Sequence, residues 1–350
     1  MNDPINVSGC KLGNDHPCFI IAEAGVNHNG DIELAKQLVD VAVEVGADAV
    51  KFQTFKAKRV VSAEAPKATY QKATTDAGES QLEMVRHLEL SPEAHQTLQT
   101  YCQERKILFM STPFDKGSVD LLDELDVPLF KVGSGEITNW PLLKYIAAKQ
   151  KPIILSTGMS YLGEVDEAVR VIRDAGNEQL VLLHCVSNYP ADPADVNLRA
   201  MATMARAFQV PVGFSDHTPG IEVSLAAVAL GACVVEKHFT LDKDLPGPDH
   251  RASLDPQELE ALVRGVRVVE AALGDGLKRP AASEQENRII VRRSLAARSD
   301  IPKGTVLTLE LLQSLRPASG ISPRFLQQIV GRKIKRRLAE GDLIGWEDLA

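Results

Sequence analysis

Eight short apolar segments of the sequence each end in polar residues that could bind or transform a small molecule. The segments are 18–25, 47–54, 107–112, 128–136, 152–158, 180–190, 210–217 and 232–239. Helix-like stretches separate them, and strands that alternate with amphipathic helices indicate βαβ units around a buried parallel sheet. Eight such units predict an α/β fold, the (β/α)₈ TIM barrel, whose active site lies at the carboxyl ends of the strands. The polar residues are therefore expected to share one pocket.

His217 and His238 are candidates for a metal site. Each histidine ends a predicted strand, and the two strands follow one another along the chain. Neighbouring strand ends would bring both imidazoles within reach of one divalent ion, with water or substrate oxygens completing its coordination. The alternative of two hydrogen-bonded structural histidines stays open on this pattern.

Two lysines and several hydroxyl groups predict a site for a phosphate or carboxylate. Lys51 and Lys131 end the second and fourth strands, and hydroxyls follow on other strands at Thr112, Ser134, Ser156 and Ser215. A lysine inside an apolar barrel needs an anionic partner, and hydroxyls beside glycine-rich backbone can hold one. Two alternatives stay open: Lys51 as a Schiff-base nucleophile, or structural ion pairs with Glu23, Glu136 or Glu236. Glu23 and Glu136 could also be general bases or bind hydroxyl groups.

The chain divides into two predicted domains. Residues 1–274 contain the barrel, with an N-terminal hairpin at 5–13 and a last helix at 255–274. Residues 275–293 have the composition of a polar linker, and residues 294–350 form a small module with short strands at SLAA, TVL and DLIG. A module of about 58 residues buries little core alone, so we expect it to pack against another surface.

The connection after the second strand, residues 55–106, is unusually long, and its first part has no sustained periodicity. A long loop at the active-site end of a barrel is typical of a segment that covers the substrate.

Composition excludes several classes of protein. The net charge of −8 argues against nucleic-acid partners and against binding to anionic membranes. The five cysteines are scattered without C-x-x-C spacing, which favours neither a disulfide framework nor a zinc knuckle. No apolar stretch reaches the ~18 residues of a membrane span, and the N-terminus lacks a signal-peptide pattern, so a cytoplasmic protein is expected.

Read together, the motifs resemble the sialic acid synthase family. They are IAEAGVNHNGD, GADAVKFQTF, STPFD, FKVGSGE, PIILSTGM, SDHTPG, LGACVVEKHFTLD and GPDH, and the C-terminal module resembles the family's antifreeze-like (SAF) domain. The resemblance implies a transferase that condenses phosphoenolpyruvate with N-acetylmannosamine or 2,4-diacetamido-2,4,6-trideoxymannose. The products would be a nonulosonic acid and phosphate, formed by metal-assisted aldol-like attack with C–O cleavage. The segment ATYQKATTDAGESQLEM resembles the N-acetylneuraminate and legionaminate branches more than the pseudaminate branch.

The resemblance also implies roles for individual residues. His217 and His238 match ligands of a divalent metal, preferably Mn²⁺, with Mg²⁺ or Co²⁺ as substitutes, and Glu23 matches a catalytic-site carboxylate. The groups that match the phosphoenolpyruvate site are Lys51, Thr112, Lys131, Ser134, Ser156 and Ser215. The groups that match the sugar site are Gln53, Glu136, Tyr189, Asp249 and Arg316. Some members carry an asparagine where this chain has Ser187, followed here by Asn188, so either residue could face phosphoenolpyruvate. By resemblance, the SAF domain of one subunit inserts Arg316 into the barrel of the other, which implies a domain-swapped homodimer.

Three other functions predict different features. A metal-dependent barrel hydrolase would need a third strong ligand beside His217 and His238 and no paired lysines, and an aldolase would use Lys51 as a Schiff base. A non-enzymatic protein would use the C-terminal module to bind ice or carbohydrate. Its charged segments KRPAASEQENR and GRKIKRR differ from the flat, repetitive surface that ice binding requires.

Overall fold

The structure is a computed structural model that describes residues 4–13, 15–68, 71–72, 75 and 78–350. These residues form two compact units, Met1–Gly274 and Asp275–Ala350. The first unit begins with an antiparallel hairpin of β1 (Ile5–Val7) and β2 (Cys10–Leu12).

Eight parallel strands then form a nearly closed barrel, which confirms the fold predicted from the sequence. The strands are β3 (Phe19–Gly25), β4 (Ala49–Thr54), β5 (Leu108–Pro113), β6 (Phe130–Val132), β7 (Ile153–Ser156), β8 (Leu180–Cys185), β9 (Val212–Asp216) and β10 (Val234–His238). Their order around the sheet is β5-β4-β3-β10-β9-β8-β7-β6, and β5 lies beside β6. Strand β6 is shorter than its apolar segment because Pro128 precedes it and a 3₁₀ turn at Ser134–Glu136 follows it.

Helices surround the barrel. In chain order they are α1 (Ile32–Glu44), α2 (Ala57–Val60), α3 (Gln81–His87), α4 (Pro92–Arg105), α5 (Lys116–Glu124), α6 (Trp140–Ala147), α7 (Leu162–Asp174), α8 (Arg199–Phe208), α9 (Glu222–Ala229) and α10 (Pro256–Leu273). Asp31 caps the start of α1, since its carboxylate accepts from the backbone N–H groups of Glu33 and Leu34. Helix α10 begins with a capping box between Asp255 and Glu258 and ends at Gly274, as its sequence indicates. None of these helices, within the described part of the chain, is both long and apolar enough to span a membrane.

The alternation of side chains along the strands determines where polar groups lie inside the barrel. Near the strand starts, inward residues are apolar and pack with the β1–β2 hairpin: Phe19, Ile21, Ala49, Met110, Leu129, Ile154, Val181 and Val234. Two residues further along, the same face of the strands carries Glu23, Lys51, Thr112, Lys131, Ser156 and Glu236. The period of two therefore gives the barrel an apolar lower layer and a polar upper layer.

The second unit contains α11 (Gln285–Val291), β11 (Ser294–Ala297), β12 (Leu312–Leu315) and α12 (Leu326–Ile329). The segment expected as a linker thus includes a helix, whose preceding turn is held by Glu284 accepting from the Ala281 N–H. Of the expected strands, SLAA forms one, whereas TVL and DLIG contribute only isolated bridges at Val306 and Leu343.

The expectation that this module buries little core is wrong. Its buried apolar cluster comprises Leu295, Ala297, Ile301, Leu307, Leu312, Ile321, Ile329, Ile334, Leu338, Ile344 and Leu349. Such a cluster supports a fold of its own. The size of the core therefore gives no reason to expect that the module packs against another surface.

A buried histidine next to β3 makes the stability of the barrel depend on pH. His28 Nδ1 accepts from the Gly30 N–H at 2.9 Å, and Nε2 is buried without a hydrogen-bond partner. Burial, followed by repulsion from His95, lowers the pKa of His28 from 6.5 to about 4, against a smaller opposing effect of Asp31.

We expect the free energy of unfolding to fall as the pH decreases from 6.5 towards 4. In that range the unfolded chain protonates His28, whereas the folded chain does not. His28→Asn keeps an acceptor for Gly30 but removes the titration. Between about pH 8 and about pH 5 the wild type should lose about 2 kcal/mol more than this variant. Denaturant titrations at the two pH values measure the free energy of unfolding of both proteins. Equal losses in wild type and His28→Asn would contradict the assignment of this pH dependence to His28.

Candidate active site

The barrel unit encloses a cavity of about 420 Å³ at the carboxyl ends of its strands. The residues predicted from the sequence that line it are Glu23, Lys51, Gln53, Thr112, Lys131, Ser134, Ser156, Ser187, Tyr189, Ser215, His217, His238 and Asp249. The structure therefore brings together residues from strand ends that are far apart in the sequence.

The floor of the cavity is a buried network of two lysines and two glutamates. Lys51 Nζ lies 2.7 Å from Glu23 Oε2 and 3.6 Å from Glu236 Oε2, and Lys131 Nζ lies 3.5 Å from Glu236 Oε1. Each of these four side chains is at most 5% exposed. From the sequence, Glu236 is a candidate only as an ion-pair partner of one lysine. In the structure its carboxylate lies between Lys51 and Lys131.

Hydroxyl groups complete this network. Lys51 Nζ donates to Thr112 Oγ1 at 3.1 Å, Lys131 Nζ donates to Ser156 Oγ at 2.8 Å, and the Ser215 hydroxyl donates to Glu236 Oε1 at 2.9 Å. Buried charges persist only when they are paired and hydrogen-bonded, so these contacts hold the ammonium groups at fixed points of the cavity wall.

Burial and ion pairing shift the pKa values of Glu23 and Glu236 in opposite directions. Burial raises the pKa of Glu23 to about 7, which Lys51 only partly offsets. Burial also acts to raise the pKa of Glu236, but Lys131 and Lys51 together hold it at about 2. Glu236 is therefore the permanent counter-charge of the lysines, whereas Glu23 changes protonation near neutral pH.

The two candidate metal ligands lie side by side in the same cavity. The ring centroids of His217 and His238 are 5.5 Å apart, and the Tyr189 ring lies 4.3 Å from that of His217. His217 Nδ1 is 2.6 Å from the Val186 carbonyl, to which it donates, so Nε2 carries the lone pair that a metal needs. Burial lowers the pKa of both histidines, which keeps the imidazoles in the neutral, metal-binding form.

The surroundings of these histidines fit a metal with an open coordination shell. His238 Nδ1 is buried without a hydrogen-bond partner, and Asp249 Oδ2 is 3.9 Å away. Among the described residues, no cluster of three or more histidine, cysteine or carboxylate side chains has the arrangement of a metal site. A metal held here would have two imidazoles as protein ligands, and its remaining positions would suit water or substrate oxygens.

Two glycines allow the loops to approach closely around this cavity. A Cβ atom at Gly158 would lie 2.2 Å from Ser187 Oγ and 2.9 Å from Ser134 Oγ. Gly25 ends β3 with φ +52°, and a Cβ there would lie 3.2 Å from Glu23 Oε1. A side chain at either position would therefore force these polar groups to move.

The long connection after β4 forms part of the cavity wall, as its position suggested. Its lining residues are Val60, Val61, Gln71, Gln81, Met84, Val85 and Leu88. Leu88 and Val85 pack with Val26, Phe55 and Phe114 in an apolar cluster separate from the barrel core. Parts of the segment ATYQKATTDAGESQLEM, at 69–70, 73–74 and 76–77, lie outside the described residues.

Three sequence-predicted residues are not among those that line the cavity. Glu136 lies in the turn after β6, where its carboxylate accepts from the Asn139 amide at 2.6 Å. Asn188 is exposed, whereas the adjacent Ser187 lines the cavity. Arg316 is an exposed residue of the second unit. The sugar-site roles of Glu136 and Arg316 stay predictions.

Family comparisons are consistent with this geometry. The model of the NeuB family matches residues 38–278, and the model of the SAF domain matches residues 292–350. The chain belongs to the NeuB family. The resemblance recognised from the motifs is therefore confirmed.

Three relatives illustrate how closely the chain matches NeuB proteins. It is 53% identical to the N,N'-diacetyllegionaminic acid synthase of Campylobacter jejuni, over 93% of this chain and 98% of that protein. It is 40% identical to human N-acetylneuraminate-9-phosphate synthase, over 97% of this chain and 96% of that protein. The solved structure of N-acetylneuraminic acid (sialic acid) synthetase from Leptospira borgpetersenii is 36% identical, with a TM-score of 0.74 over 82% of this chain and 95% of that chain. The chain is therefore an enzyme related to synthases of sialic and legionaminic acids.

The charge network predicts a specific pattern of stability changes. Above about pH 8, where Glu23 is ionised in the folded chain, Lys51→Met should lower the free energy of unfolding by about 3–5 kcal/mol, because it leaves Glu23 buried without its nearest cation. Adding Glu23→Gln should restore most of that loss. Lys36→Met, which removes an exposed pair with Glu33, should cost no more than about 0.5 kcal/mol. Denaturant unfolding of the four proteins tests this, and a double variant no more stable than Lys51→Met would contradict it.

Proposed function

We propose that this enzyme condenses phosphoenolpyruvate with an N-acylated mannosamine-type sugar and water to give a nonulosonic acid and phosphate. The observation that carries the proposal is one cavity with two buried lysines at its floor and two neutral histidines beside them. Phosphoenolpyruvate presents a phosphate and a carboxylate to such lysines, and an open-chain sugar presents oxygens to a metal. The names of the relatives support the same reaction.

The lysines and hydroxyls would bind phosphoenolpyruvate. Lys51 and Lys131 offer charge-assisted hydrogen bonds at fixed positions, and Thr112 and Ser156 already contact them. Ser134 and Ser187 line the cavity beside Gly158, where they can donate to a further oxygen of the anion. The same groups would stabilise phosphate as it leaves.

The histidines would hold the divalent metal, preferably Mn²⁺, with Mg²⁺ or Co²⁺ as substitutes. When bound, the ion would supply Lewis-acid polarisation of the sugar aldehyde. Asp249 lies next to His238 and Tyr189 next to His217, and this proximity supports a role of both residues in binding sugar hydroxyls.

The remaining steps use groups of the chain and substrate. The enol carbon C3 of phosphoenolpyruvate attacks the aldehyde carbon, and water adds at C2. The resulting tetrahedral intermediate loses phosphate by cleavage of the C2–O bond. We assign Glu23 to orient that water, because its carboxylate is held by Lys51 and lies 3.5 Å from the Gln53 amide.

We favour 2,4-diacetamido-2,4,6-trideoxymannose as the sugar. The apolar wall of Val60, Val61, Met84, Val85 and Leu88 suits the C6 methyl and the second acetamido methyl of this sugar. The relative that makes diacetyllegionaminic acid also supports this choice. N-acetylmannosamine is the second candidate, favoured by Gln71 and Gln81 on the same wall and by the sialic acid synthetase relative.

Phosphate release tests the reaction and the sugar together. We expect release from phosphoenolpyruvate only when sugar and a divalent ion are present, with kcat/KM about tenfold or more higher for the trideoxy sugar. Chelation should abolish release and Mn²⁺ should restore it. If neither sugar supports phosphate release, or if the enzyme is fully active without metal, the proposed reaction is contradicted. A preference for N-acetylmannosamine would reverse only the choice of sugar.

The same assay tests the anion site at one residue. Lys131→Met should raise KM for phosphoenolpyruvate about tenfold or more, since it removes a charge-assisted contact, and should change KM for the sugar little. Lys149→Met is a matched control, because it removes a lysine paired with Asp120 and Asp123 outside the cavity.

We further propose that the enzyme works as a domain-swapped homodimer in which Arg316 completes the barrel of the partner. Arg316 is exposed in its own unit, and its guanidinium could bind sugar oxygens and help exclude water. Exposed Leu277, Ile289 and Ile290 of the second unit offer apolar surface for a subunit contact. The cytoplasmic location and the absence of nucleic-acid partners stay predictions.

Complementation tests the swapped arrangement. Arg316→Ala and His217→Ala proteins should each be nearly inactive. After subunit exchange, the mixture should recover about a quarter of wild-type activity, since half of the dimers are mixed and each mixed dimer has one intact site. No recovery, with exchange demonstrated by differently tagged subunits, would mean that Arg316 does not act in the partner's site.

A further inference from the structure

A buried ion pair lies behind the two histidines, on the outer face of the barrel sheet. Lys237 Nζ is 2.9 Å from Asp216 Oδ2, and the two side chains are 1% and 0% exposed. Asp216 precedes His217 in the sequence, and Lys237 precedes His238. Because side chains alternate along a strand, the histidines face the cavity while this pair faces the helices.

The pair connects three elements of the barrel. Asp216 and Lys237 are directly opposite each other in the ladder between β9 and β10. Asp216 Oδ2 also accepts from the Ser224 hydroxyl of α9 at 2.6 Å. The ends of both histidine-bearing strands are thus tied to each other and to one helix.

Asp216 and Lys237 also fix the backbone on the far side of His217. Asp216 Oδ1 accepts from the N–H and the hydroxyl of Thr218, each at 2.8 Å, and Lys237 Nζ donates to the Thr218 carbonyl. His217 is therefore held between two anchored residues. Its own Nδ1 contact with Val186 then sets the direction of its ring.

Stability alone does not explain this pair. Apolar side chains also pack in the layer between sheet and helices at this point, among them Phe214, Val235 and Ala227. A buried ion pair is generally no more stabilising than well-packed apolar residues of similar size. A directional contact, by contrast, fixes the relative position of two strand ends, which apolar packing does less strictly.

We propose that Asp216 and Lys237 are positioning residues that set the spacing and orientation of His217 and His238 for one divalent ion. The inference rests on the proposed metal site. It adds a function for Asp216 and Lys237, the middle residues of the SDH and EKH motifs, which do not line the cavity.

Binding of Mn²⁺ to the full-length, substrate-free enzyme tests the proposal, with free Mn²⁺ measured by electron paramagnetic resonance. The variant Asp216→Asn/Lys237→Met keeps an acceptor for Thr218 and removes both charges. We expect it to fold and to bind Mn²⁺ about tenfold or more weakly than wild type, as when groups that orient metal ligands are removed. Asp216→Glu keeps both charges but lengthens one side chain, so it should also weaken Mn²⁺ binding. This variant serves as the test if the double variant does not fold.

Arg267→Met is the matched control. It removes a partly buried pair with Asp48 at the opposite end of the barrel, so it should lower the unfolding free energy without changing Mn²⁺ affinity. Folded Asp216→Glu or double variants with wild-type affinity would overturn the positioning role and leave the proposed reaction standing. Absence of Mn²⁺ binding in the wild type would overturn both the positioning role and the metal site.

Discussion

The barrel must hold four ionisable side chains, Glu23, Lys51, Lys131 and Glu236, out of contact with bulk water. Removing such charges from water is costly unless each finds a partner of opposite sign at close range. Each of the two lysines and two glutamates lies within 3.6 Å of an opposite charge, and the hydroxyls of Thr112, Ser156 and Ser215 hydrogen-bond to Lys51, Lys131 and Glu236 respectively. The network therefore joins the ends of seven strands, β3, β4, β5, β6, β7, β9 and β10.

The rest of the barrel holds this charged network at the carboxyl ends of the strands. The apolar lower layer and the β1–β2 hairpin close one end of the barrel interior, so the charged layer can open only towards the carboxyl ends of the strands. Glycines at positions 25 and 158 let neighbouring loops close over it without steric conflict. A cavity prepared in this way offers fixed ammonium groups to an anion, which reduces the reorganisation needed when a substrate binds.

The sequence predicted the barrel because the buried strands appear as apolar segments and their period of two places polar residues on one face near the strand ends. Lys51, Lys131, His217 and His238 could be placed in one pocket by that rule alone. The ion-pair partner of Lys131 could not be predicted from the sequence. That Lys131 pairs with Glu236 and not with Glu136 depends on strand register and on the hydrogen bond that Asn139 donates to Glu136. The core of the second unit was also missed, because its apolar residues are spread over turns and isolated bridges instead of periodic strands.

We propose that one cavity holds phosphoenolpyruvate on Lys51 and Lys131 and a divalent ion on His217 and His238. A crystal structure of the full-length enzyme with Mn²⁺ and phosphoenolpyruvate tests it most directly, with anomalous scattering locating the metal. We expect an anomalous peak bonded to both imidazoles, with the phosphate and carboxylate of phosphoenolpyruvate in contact with both ammonium groups. Metal bound elsewhere, or phosphoenolpyruvate outside this cavity, would contradict it.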